Sequence, residues 1–290
     1  MSGLVRECTD AHPLNLSTGL REAGHHRITT HASSLLLVED VAASPLHAPV
    51  SGYELNHQIV LPYLGLFGYS LGNRTQLFDS NRTLFVAPNR EFRDSHPIAD
   101  LGHASIIITP RVEILDEICG TGGAREHSAF RQGARAASRE LQLLTHRLRR
   151  LADGEHTVLQ RDEWTIRALR EALDRDHRRE VTSSKVVDRA KQALHARGCE
   201  RISLGEVARE VGVSPIYLTQ EFSRAEGVPL YRYQLNLRLS RALMELRDCN
   251  DITVLALDLG FSSHSHFSFT FKKAFGLTPS DYRRSEVLPR

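Results

Sequence analysis

The chain has 290 residues, a formal net charge of +2, and 41% hydrophobic and 25% charged residues. This is the composition of a soluble globular protein and it excludes a largely disordered chain. No stretch reaches the roughly 18 uninterrupted apolar residues of a membrane span, and the polar start of the chain lacks the apolar segment of a signal peptide. The four cysteines form no C-x-x-C pair, which predicts a reducing compartment, the cytoplasm, and argues against a structural zinc site.

The small net charge is a sum over unlike segments. Residues 1–120 hold 8 Lys/Arg and 13 Asp/Glu, residues 121–200 hold 17 and 12, and residues 201–290 hold 12 and 10. This asymmetry predicts an acidic module joined to a more basic one, and the length also indicates two domains. A net charge near zero therefore does not exclude a nucleic-acid binder.

The first 120 residues are predicted to form an arm followed by a β-rich domain. Residues 1–32 are polar and contain a histidine cluster (His25, His26 and His31), so we predict a loosely packed, solvated arm. Residues 33–120 contain short apolar runs that end at Gly, Pro or Asn, a pattern typical of a β-rich domain such as a barrel. The predicted strands lie at 33–38, 54–61, 63–71, 83–87 and 106–109.

Residues 121–182 are predicted to be a helical linker, preceded by a short helix that starts at Pro110 and ends at Gly120. A long helix is expected over 125–151, where leucines lie three or four residues apart, and a second helix carries Trp164. The leucine stripe either mediates dimerisation or packs on the β-rich domain, because an amphipathic stripe alone does not identify its partner.

A helix-turn-helix pattern begins the last third of the chain. Gly212 suits a left-handed turn between two helices, Ser214 can cap the second helix and Pro215 fits its first turn. The second helix buries Leu218 and Phe222, which lie one turn apart. Two short helices joined by a tight glycine turn are the helix-turn-helix. The apolar face of the first helix comprises Leu204, Val207, Ala208 and Val211.

The same pattern recurs 48 residues further along the chain. Gly260 takes the place of Gly212 and Ser262 takes the place of Ser214, and a long helix over 229–246 is predicted to separate the two units. Two copies in register strongly favour a functional pair, because chance would have to reproduce turn, cap and core together. The apolar face of the repeat comprises Ile252, Leu255, Ala256 and Leu259.

These residues resemble the AraC/XylS family of transcription regulators. The first unit, the long helix and residues 260–284 (GFSSHSHFSFTFKKAFGLTPSDYRR) carry the resemblance, which covers residues 184–285. It implies that residues 183–290 are an AraC-type DNA-binding domain of seven helices. It also implies that each unit places one recognition helix in a major groove, and that the two grooves are successive on one face of double-stranded DNA.

The outward positions of the two recognition helices are the predicted DNA contacts. By the resemblance, Ile216, Thr219 and Gln220 face bases, where the Gln220 amide can pair with adenine. The family often has Arg where this chain has Phe269, so the second helix is expected to depend on phosphate contacts, DNA shape or an apolar contact. The predicted base contacts are Ile216, Thr219, Gln220, Ser265 and Phe269. The predicted backbone contacts are Ser214, Arg224, Ser262, His264, Lys272 and Lys273.

A metal-dependent enzyme is the first alternative function. Residues 78–89 resemble the strand-turn-strand of the cupin-type sensor domains that are common in this family, and a cupin enzyme needs clustered His and carboxylate ligands. The sequence has no H-x-H…E pattern, and His264 and His266 diverge on a helix. We therefore predict no metal, no cofactor and no enzymatic activity. The candidate ligands for the alternative are His47, His57, His96, His103 and Glu54.

The sequence thus predicts an α+β protein with a cupin-like sensor domain at residues 33–120. It is expected to be a cytoplasmic, sequence-specific DNA-binding regulator, and an activator by the resemblance. The expected partners are double-stranded DNA, RNA polymerase, a small-molecule effector and a second copy of the chain, and not a membrane. A cupin-like metalloenzyme with an accessory DNA-binding domain and a protein–protein adaptor are the alternatives. The sequence does not identify effector-binding residues.

Overall fold

The structure, a computed structural model, describes residues 25–44, 51–71, 74–120, 123, 127–152, 154–174 and 184–284. Its strands are β1 (His25–Ala32), β2 (Leu36–Ala43), β3 (Ser51–Glu54), β4 (Gln58–Leu64), β5 (Phe67–Leu71), β6 (Arg74–Phe78), β7 (Arg82–Val86), β8 (Arg90–Ser95), β9 (His103–Pro110) and β10 (Ala134–Ala136). Its helices are α1 (Val112–Cys119), α2 (Ser128–Gln132), α3 (Arg139–Arg149), α4 (Val158–Leu173), α5 (Lys185–Ala196), α6 (Leu204–Val211), α7 (Pro215–Glu226), α8 (Leu230–Glu245), α9 (Ile252–Asp258), α10 (His264–Phe275) and α11 (Pro279–Arg284). A β-rich N-terminal region and a helical C-terminal region are therefore confirmed. None of these helices combines the length and the hydropathy needed to cross a bilayer.

The strands form two antiparallel sheets. One has six strands in the order β1-β2-β9-β4-β7-β10, and the other has four in the order β3-β8-β5-β6. The central strands of the larger sheet are buried on both faces. In β9, Ile106 and Ile108 pack toward the helices, while Ile107 packs toward the smaller sheet. Because both faces of this strand pack against an apolar core, its central residues form a continuous apolar run and do not alternate between apolar and polar.

The leucine stripe of the linker packs on the β-rich region. Its four leucines share one buried core with apolar residues of β2, β4 and β9. The sequence left two partners open for this stripe, a second copy of the chain and the β-rich domain. In the structure the stripe packs on the chain's own sheet. The stripe comprises Leu141, Leu144, Leu148 and Leu151.

The linker itself differs from the sequence-based prediction. The single helix expected over 125–151 is wrong, because α2 ends at Gln132 and α3 begins at Arg139. Gly133 has a φ of 79°, the left-handed conformation that ends a helix. Ala134–Ala136 then pairs with β7 as a short edge strand. The short helix that ends at a glycine (α1) and the helix that carries the tryptophan (α4) are confirmed.

The arm predicted for residues 1–32 is wrong from residue 25 onward. Strand β1 pairs with β2 at the edge of the larger sheet. His31 is buried, and its Nε2 lies 2.7 Å from the Asp162 carboxylate on α4. One member of the cluster predicted to be solvated is therefore held in the core, whereas His26 is exposed. Residues 1–24 lie outside the described residues.

Residues 184–284 form the seven helices α5 to α11 around two apolar cores. One core joins α5, α6, α7 and the start of α8, and the other joins the rest of α8 to α9, α10 and α11. The long helix α8 is the spacer between the units, with Tyr233 in the first core and Leu239 in the second. Leu143 of α3 also enters the second core, so the linker contacts the helical region directly.

Candidate nucleic-acid interface

The turn of the first unit has the geometry that its sequence predicts. Gly212 has a φ of 73°, and the amide of Val213 donates to the carbonyl of Ala208 at 2.9 Å. The Ser214 hydroxyl accepts a hydrogen bond from the Tyr217 amide at 3.2 Å, which caps α7. The turn therefore fixes the direction in which α7 leaves α6.

The second unit repeats this turn but moves the cap by one residue. Gly260 has a φ of 78°, and the amide of Phe261 donates to the carbonyl of Ala256 at 3.0 Å. The prediction that Ser262 takes the capping position is wrong. Ser263 caps α10 by accepting from the His266 amide at 3.1 Å, because the repeat gains one residue here.

The first recognition helix, α7, divides cleanly into a buried and an exposed face. Leu218 and Phe222 are fully buried against α5 and α6, which leaves the opposite face to solvent. Ile216 is 73% exposed and lies on this outer face. The predicted contact residues exposed on this helix and its cap are Ser214, Ile216, Thr219, Gln220 and Arg224.

The second recognition helix, α10, has the same division. Phe267 and Phe271 are fully buried, and Phe269 is 68% exposed. The helix contains no acidic residue and ends with two exposed lysines, so its outer face is cationic. The predicted contact residues exposed on this helix and its turn are Ser262, His264, Ser265, Phe269, Lys272 and Lys273.

Two of the predicted contacts in α7 already have partners within the helix. The Arg224 guanidinium donates to the Glu221 carboxylate at 3.0 and 2.8 Å. Exposed ion pairs of this kind are weak, so the guanidinium can exchange Glu221 for a phosphate. The Thr219 hydroxyl donates to the Pro215 carbonyl at 2.9 Å, which leaves its methyl group and its oxygen lone pairs facing outward.

Comparison with known proteins identifies this part of the chain. A family model described as "Helix-turn-helix domain" matches residues 207–285. The HTH-type transcriptional activator AarP of Providencia stuartii is 33% identical over 88 residues, which cover 30% of this chain and 65% of the relative. The transcriptional activator RhrA of Rhizobium meliloti is 35% identical over 85 residues, which cover 28% of this chain and 27% of the relative.

The C-terminal part of the chain is an AraC-type helix-turn-helix domain. A solved transcriptional regulator of Chromobacterium violaceum, described by its AraC-type DNA-binding domain, is similar at 33% identity and a TM-score of 0.33, covering 36% of this chain and 95% of that one. The chain spans less than two thirds of the length of the curated relatives named above.

The AraC-type domain is joined to the β-rich region by buried polar contacts. Asp79, in the turn between β6 and β7, is fully buried. It accepts a hydrogen bond from the Tyr233 hydroxyl at 2.5 Å and lies 2.9 Å from His195 Nε2. Burial would raise the pKa of Asp79, but His195, Lys191 and Tyr233 together hold that pKa below its ordinary value. The carboxylate is therefore charged inside the junction.

A second carboxylate completes the junction at the end of the first recognition helix. Glu226 accepts two hydrogen bonds from Arg82 of β7, at 3.1 and 2.5 Å, and lies 2.7 Å from Lys191 Nζ of α5. All three side chains are at most 2% exposed. We call Asp79, Arg82, Lys191, His195, Glu226 and Tyr233 the junction network. The sequence does not predict this network, because its contacts across the junction join residues 116 to 154 positions apart and no local pattern connects them.

The candidate metal ligands of the N-terminal region are not assembled into a metal site within the described residues. His96 Nε2 lies 3.0 Å from His103 Nδ1, but His57 packs against a phenylalanine ring and Glu54 is hydrogen-bonded to a glutamine. No group of three or more His, Cys, Asp or Glu side chains in the described ranges is placed to hold a metal ion. His47 lies outside those ranges.

Proposed function

We propose that this chain is a sequence-specific DNA-binding transcription regulator that reads two successive major grooves with α7 and α10. The observation that carries the proposal is the duplication. One spacer helix holds two helix-turn-helix units that have matching glycine turns. In each unit the recognition helix buries one face in the core and exposes the opposite face to solvent. A single α-helix fits the major groove, and neighbouring grooves lie roughly 34 Å apart.

Each helix would contribute a different kind of contact. In α7, the Gln220 amide would pair with adenine and the Ile216 side chain would contact a thymine methyl group. In α10, Phe269 supplies an apolar surface where a bidentate donor would read guanine, while Lys272 and Lys273 supply phosphate contacts. The first unit would therefore carry most of the base readout, and the second would contribute affinity and an apolar or shape-dependent preference.

The regulator is proposed to be a cytoplasmic activator that works with RNA polymerase, as its resemblance to the AraC/XylS family implies. The chain would act as a homodimer, and the N-terminal region would tune DNA binding. The junction network supports this coupling, because Arg82 at the start of β7 is bonded to Glu226, the last residue of the first recognition helix. A shift in the β-rich region would thus alter the population of DNA-competent arrangements.

The effector is proposed to be a small molecule. The space between the two sheets is a cavity of only about 50 Å³, which holds one or two waters rather than an organic ligand. An effector in that position would therefore need the sheets to move apart.

Selection of binding sites from random duplex DNA tests the proposal on the full chain. We expect enriched sites with two blocks of preferred bases, about 10–10.5 base pairs apart. Ile216→Glu should remove one block and Phe269→Glu the other, because each replaces an apolar base contact with a carboxylate that faces the base edges inside a negatively charged groove. Tyr231→Glu is the matched control, since Tyr231 is 64% exposed on the spacer helix and should change neither block.

Two outcomes would contradict the proposal. If the folded chain enriched no sequence, sequence-specific binding would be ruled out. If the selected sites held only one block of preferred bases, and both recognition-helix variants lost it equally, reading of two grooves would be ruled out. Repeating the selection with and without cell extract tests the effector, since an extract that contains it should shift the enrichment.

A further inference from the structure

A cleft between the linker and the second helix-turn-helix unit has a volume of about 560 Å³. Its linker side is formed by α3, the α3–α4 connection and α4, and its other side by Arg247 after α8 and Tyr282 of α11. This volume is in the range of sites for small organic molecules. The cleft is distinct from both recognition helices and from the small cavity between the sheets.

The walls of this cleft are cationic and aromatic. Arg147, Arg150 and Arg247 line it together with Trp164, and Glu155 is the one carboxylate among the described lining residues. Guanidinium groups bind phosphate and carboxylate oxygens with two parallel hydrogen bonds. Three guanidinium groups around one cleft therefore favour a ligand with a negatively charged oxyanion.

Arg147 is held in a geometry suited to such a ligand. Its guanidinium carbon lies 3.4 Å from the centroid of the Trp164 ring, in a stacked contact, and its Nε is buried with no hydrogen-bond partner in the described part of the chain. Stacking occupies the face of the guanidinium and leaves its N–H edge available. Burial, with Arg167 nearby, lowers the pKa of Arg147 to about 10, so it is still a cation at neutral pH.

An unsatisfied buried histidine is the second, independent observation. His146 lines the cleft and is 2% exposed, yet neither of its ring nitrogens has a hydrogen-bond partner among the described residues. Buried polar groups nearly always have a partner, and one without a partner costs free energy. Burial lowers the pKa of His146 to about 3, so the ring is neutral and offers one N–H donor and one acceptor.

We propose that this cleft binds a small organic anion, whose phosphate or carboxylate group is held by Arg147, Arg150 and Arg247 and whose body packs near Trp164. A polar atom of its body would supply the hydrogen-bond partner that the buried His146 ring lacks among the described residues. A ligand held here would contact the linker and the second unit at once, so it would bias their arrangement by its differential affinity for the two states.

The chain's single tryptophan reports directly on this cleft, because Trp164 lies in its wall. We would titrate the full chain with inorganic phosphate, phenyl phosphate and benzoate, against sodium chloride at matched ionic strength, and follow Trp164 fluorescence. A saturable change with one ligand per chain, confirmed by calorimetry, is expected. Phenyl phosphate should bind more tightly than inorganic phosphate, and its comparison with benzoate identifies the preferred oxyanion.

Arg147→Gln and Arg247→Gln should each weaken binding by about tenfold or more, since each removes charged hydrogen bonds. Arg170→Gln is the matched control, because Arg170 is exposed on the same helix as Trp164 but outside the cleft, and it should bind as the wild type does. The two cleft variants lie on opposite walls, so one remains informative if the other fails to fold.

The proposal is overturned if no probe gives a saturable signal beyond the chloride control, or if the control variant loses as much affinity as the cleft variants. It is also overturned if Arg147→Gln weakens DNA binding and leaves anion binding unchanged, which would assign these arginines to the DNA backbone. The titration contains no DNA, so its failure is distinct from a failure of the proposed regulator function.

Discussion

Arg82 of the β-rich region and Glu226 of the first recognition helix form a fully buried, two-point ion pair. The Nε and Nη2 atoms of Arg82 donate to the two carboxylate oxygens at 3.1 and 2.5 Å, although the residues are 144 positions apart in the chain. Bidentate pairs of this kind fix orientation as well as distance. The β7 strand and the end of α7 therefore hold one defined relative position.

Removing the charge of Glu226 should destabilise the protein strongly. Glu226→Gln leaves Arg82 and Lys191 buried without their carboxylate, and breaking a buried pair by removing one partner typically costs about 3–5 kcal/mol. We expect the free energy of unfolding, measured by urea denaturation, to fall by about 3 kcal/mol. The matched control is Glu221→Gln on the same helix, which removes an ion pair to the exposed Arg224 and the carboxylate's interaction with Ser184 but leaves no charge buried without a partner. Equal losses in the two variants would contradict the role assigned to the junction network.

The buried carboxylates between the sheets should make stability depend on pH. Burial raises the pKa of Asp94 from 3.8 to about 7 and that of Glu54 from 4.5 to about 7. The folded state thus binds more protons than the unfolded state between about pH 4 and pH 7. The stability that these two carboxyl groups contribute should therefore be highest at the acidic end of this window and fall as the pH rises through it.

Asp94→Asn should remove much of this pH dependence. Asp94 Oδ1 has no hydrogen-bond partner among the described residues, so a neutral amide avoids the cost of a buried charge. At about pH 8 we expect the variant to be more stable than the wild type, by on the order of 2 kcal/mol, and the difference to vanish near pH 4. Thermal unfolding across pH measures this, with the exposed Asp100→Asn as control. A difference between the variant and the wild type that does not grow from pH 4 to pH 8 would contradict the raised pKa of Asp94.

The helical third of the chain was predictable because its signals are local. The glycine turn, the cap and the apolar spacing of the first unit all lie within about twenty residues, and Gly212, Ser214 and Phe222 take the conformations and burial that the pattern predicts. Both predicted core faces are buried as well, apart from Leu204, which is 38% exposed at the start of its helix. Short-range periodicity is decisive when each helix needs only one buried face.

The β-rich region was predicted less well because its pairing is long-range. The sequence predicts one strand over 54–61, whereas β3 ends at Glu54 in the smaller sheet and β4 begins at Gln58 in the larger one. The sequence does not predict strand β8, because most of its residues are polar. Only alternate residues of this strand face the core, and Phe92 is the apolar one among them. The junction network could not be found at all, because a buried ion pair between distant residues has no periodic signature.

The cap of the second recognition helix gives a direct test of the corrected register. Ser263→Ala removes the hydroxyl that accepts from the His266 amide, and loss of a serine N-cap typically costs about 1 kcal/mol. We expect that decrease in the free energy of unfolding, measured by urea denaturation. Ser262→Ala is the control, because Ser262 makes only an exposed contact to the His266 ring and should have a smaller effect. A larger loss for Ser262→Ala would restore the register that the sequence repeat suggests.

Base readout and backbone contact should separate in two recognition-helix variants. Gln220 is exposed on α7 with an amide that can pair with adenine, so Gln220→Ala should change the preferred base at one position and leave the salt dependence of binding nearly unchanged. Lys272 is an exposed cation near the end of α10. Lys272→Ala should weaken binding to all sequences alike and reduce the slope of log affinity against log salt by about 1.

Affinity for the selected site and for single-base variants, measured at several salt concentrations, separates these two effects. Both side chains are on the solvent side of their helices, so neither substitution should alter the fold, and unchanged thermal unfolding is the control. If base preference changed in Lys272→Ala and the salt slope changed in Gln220→Ala, the roles of the two helices would be reversed. If binding to the selected site were untouched by both, neither face would lie in a groove, because a base contact and a phosphate contact cannot both be lost without a cost in affinity.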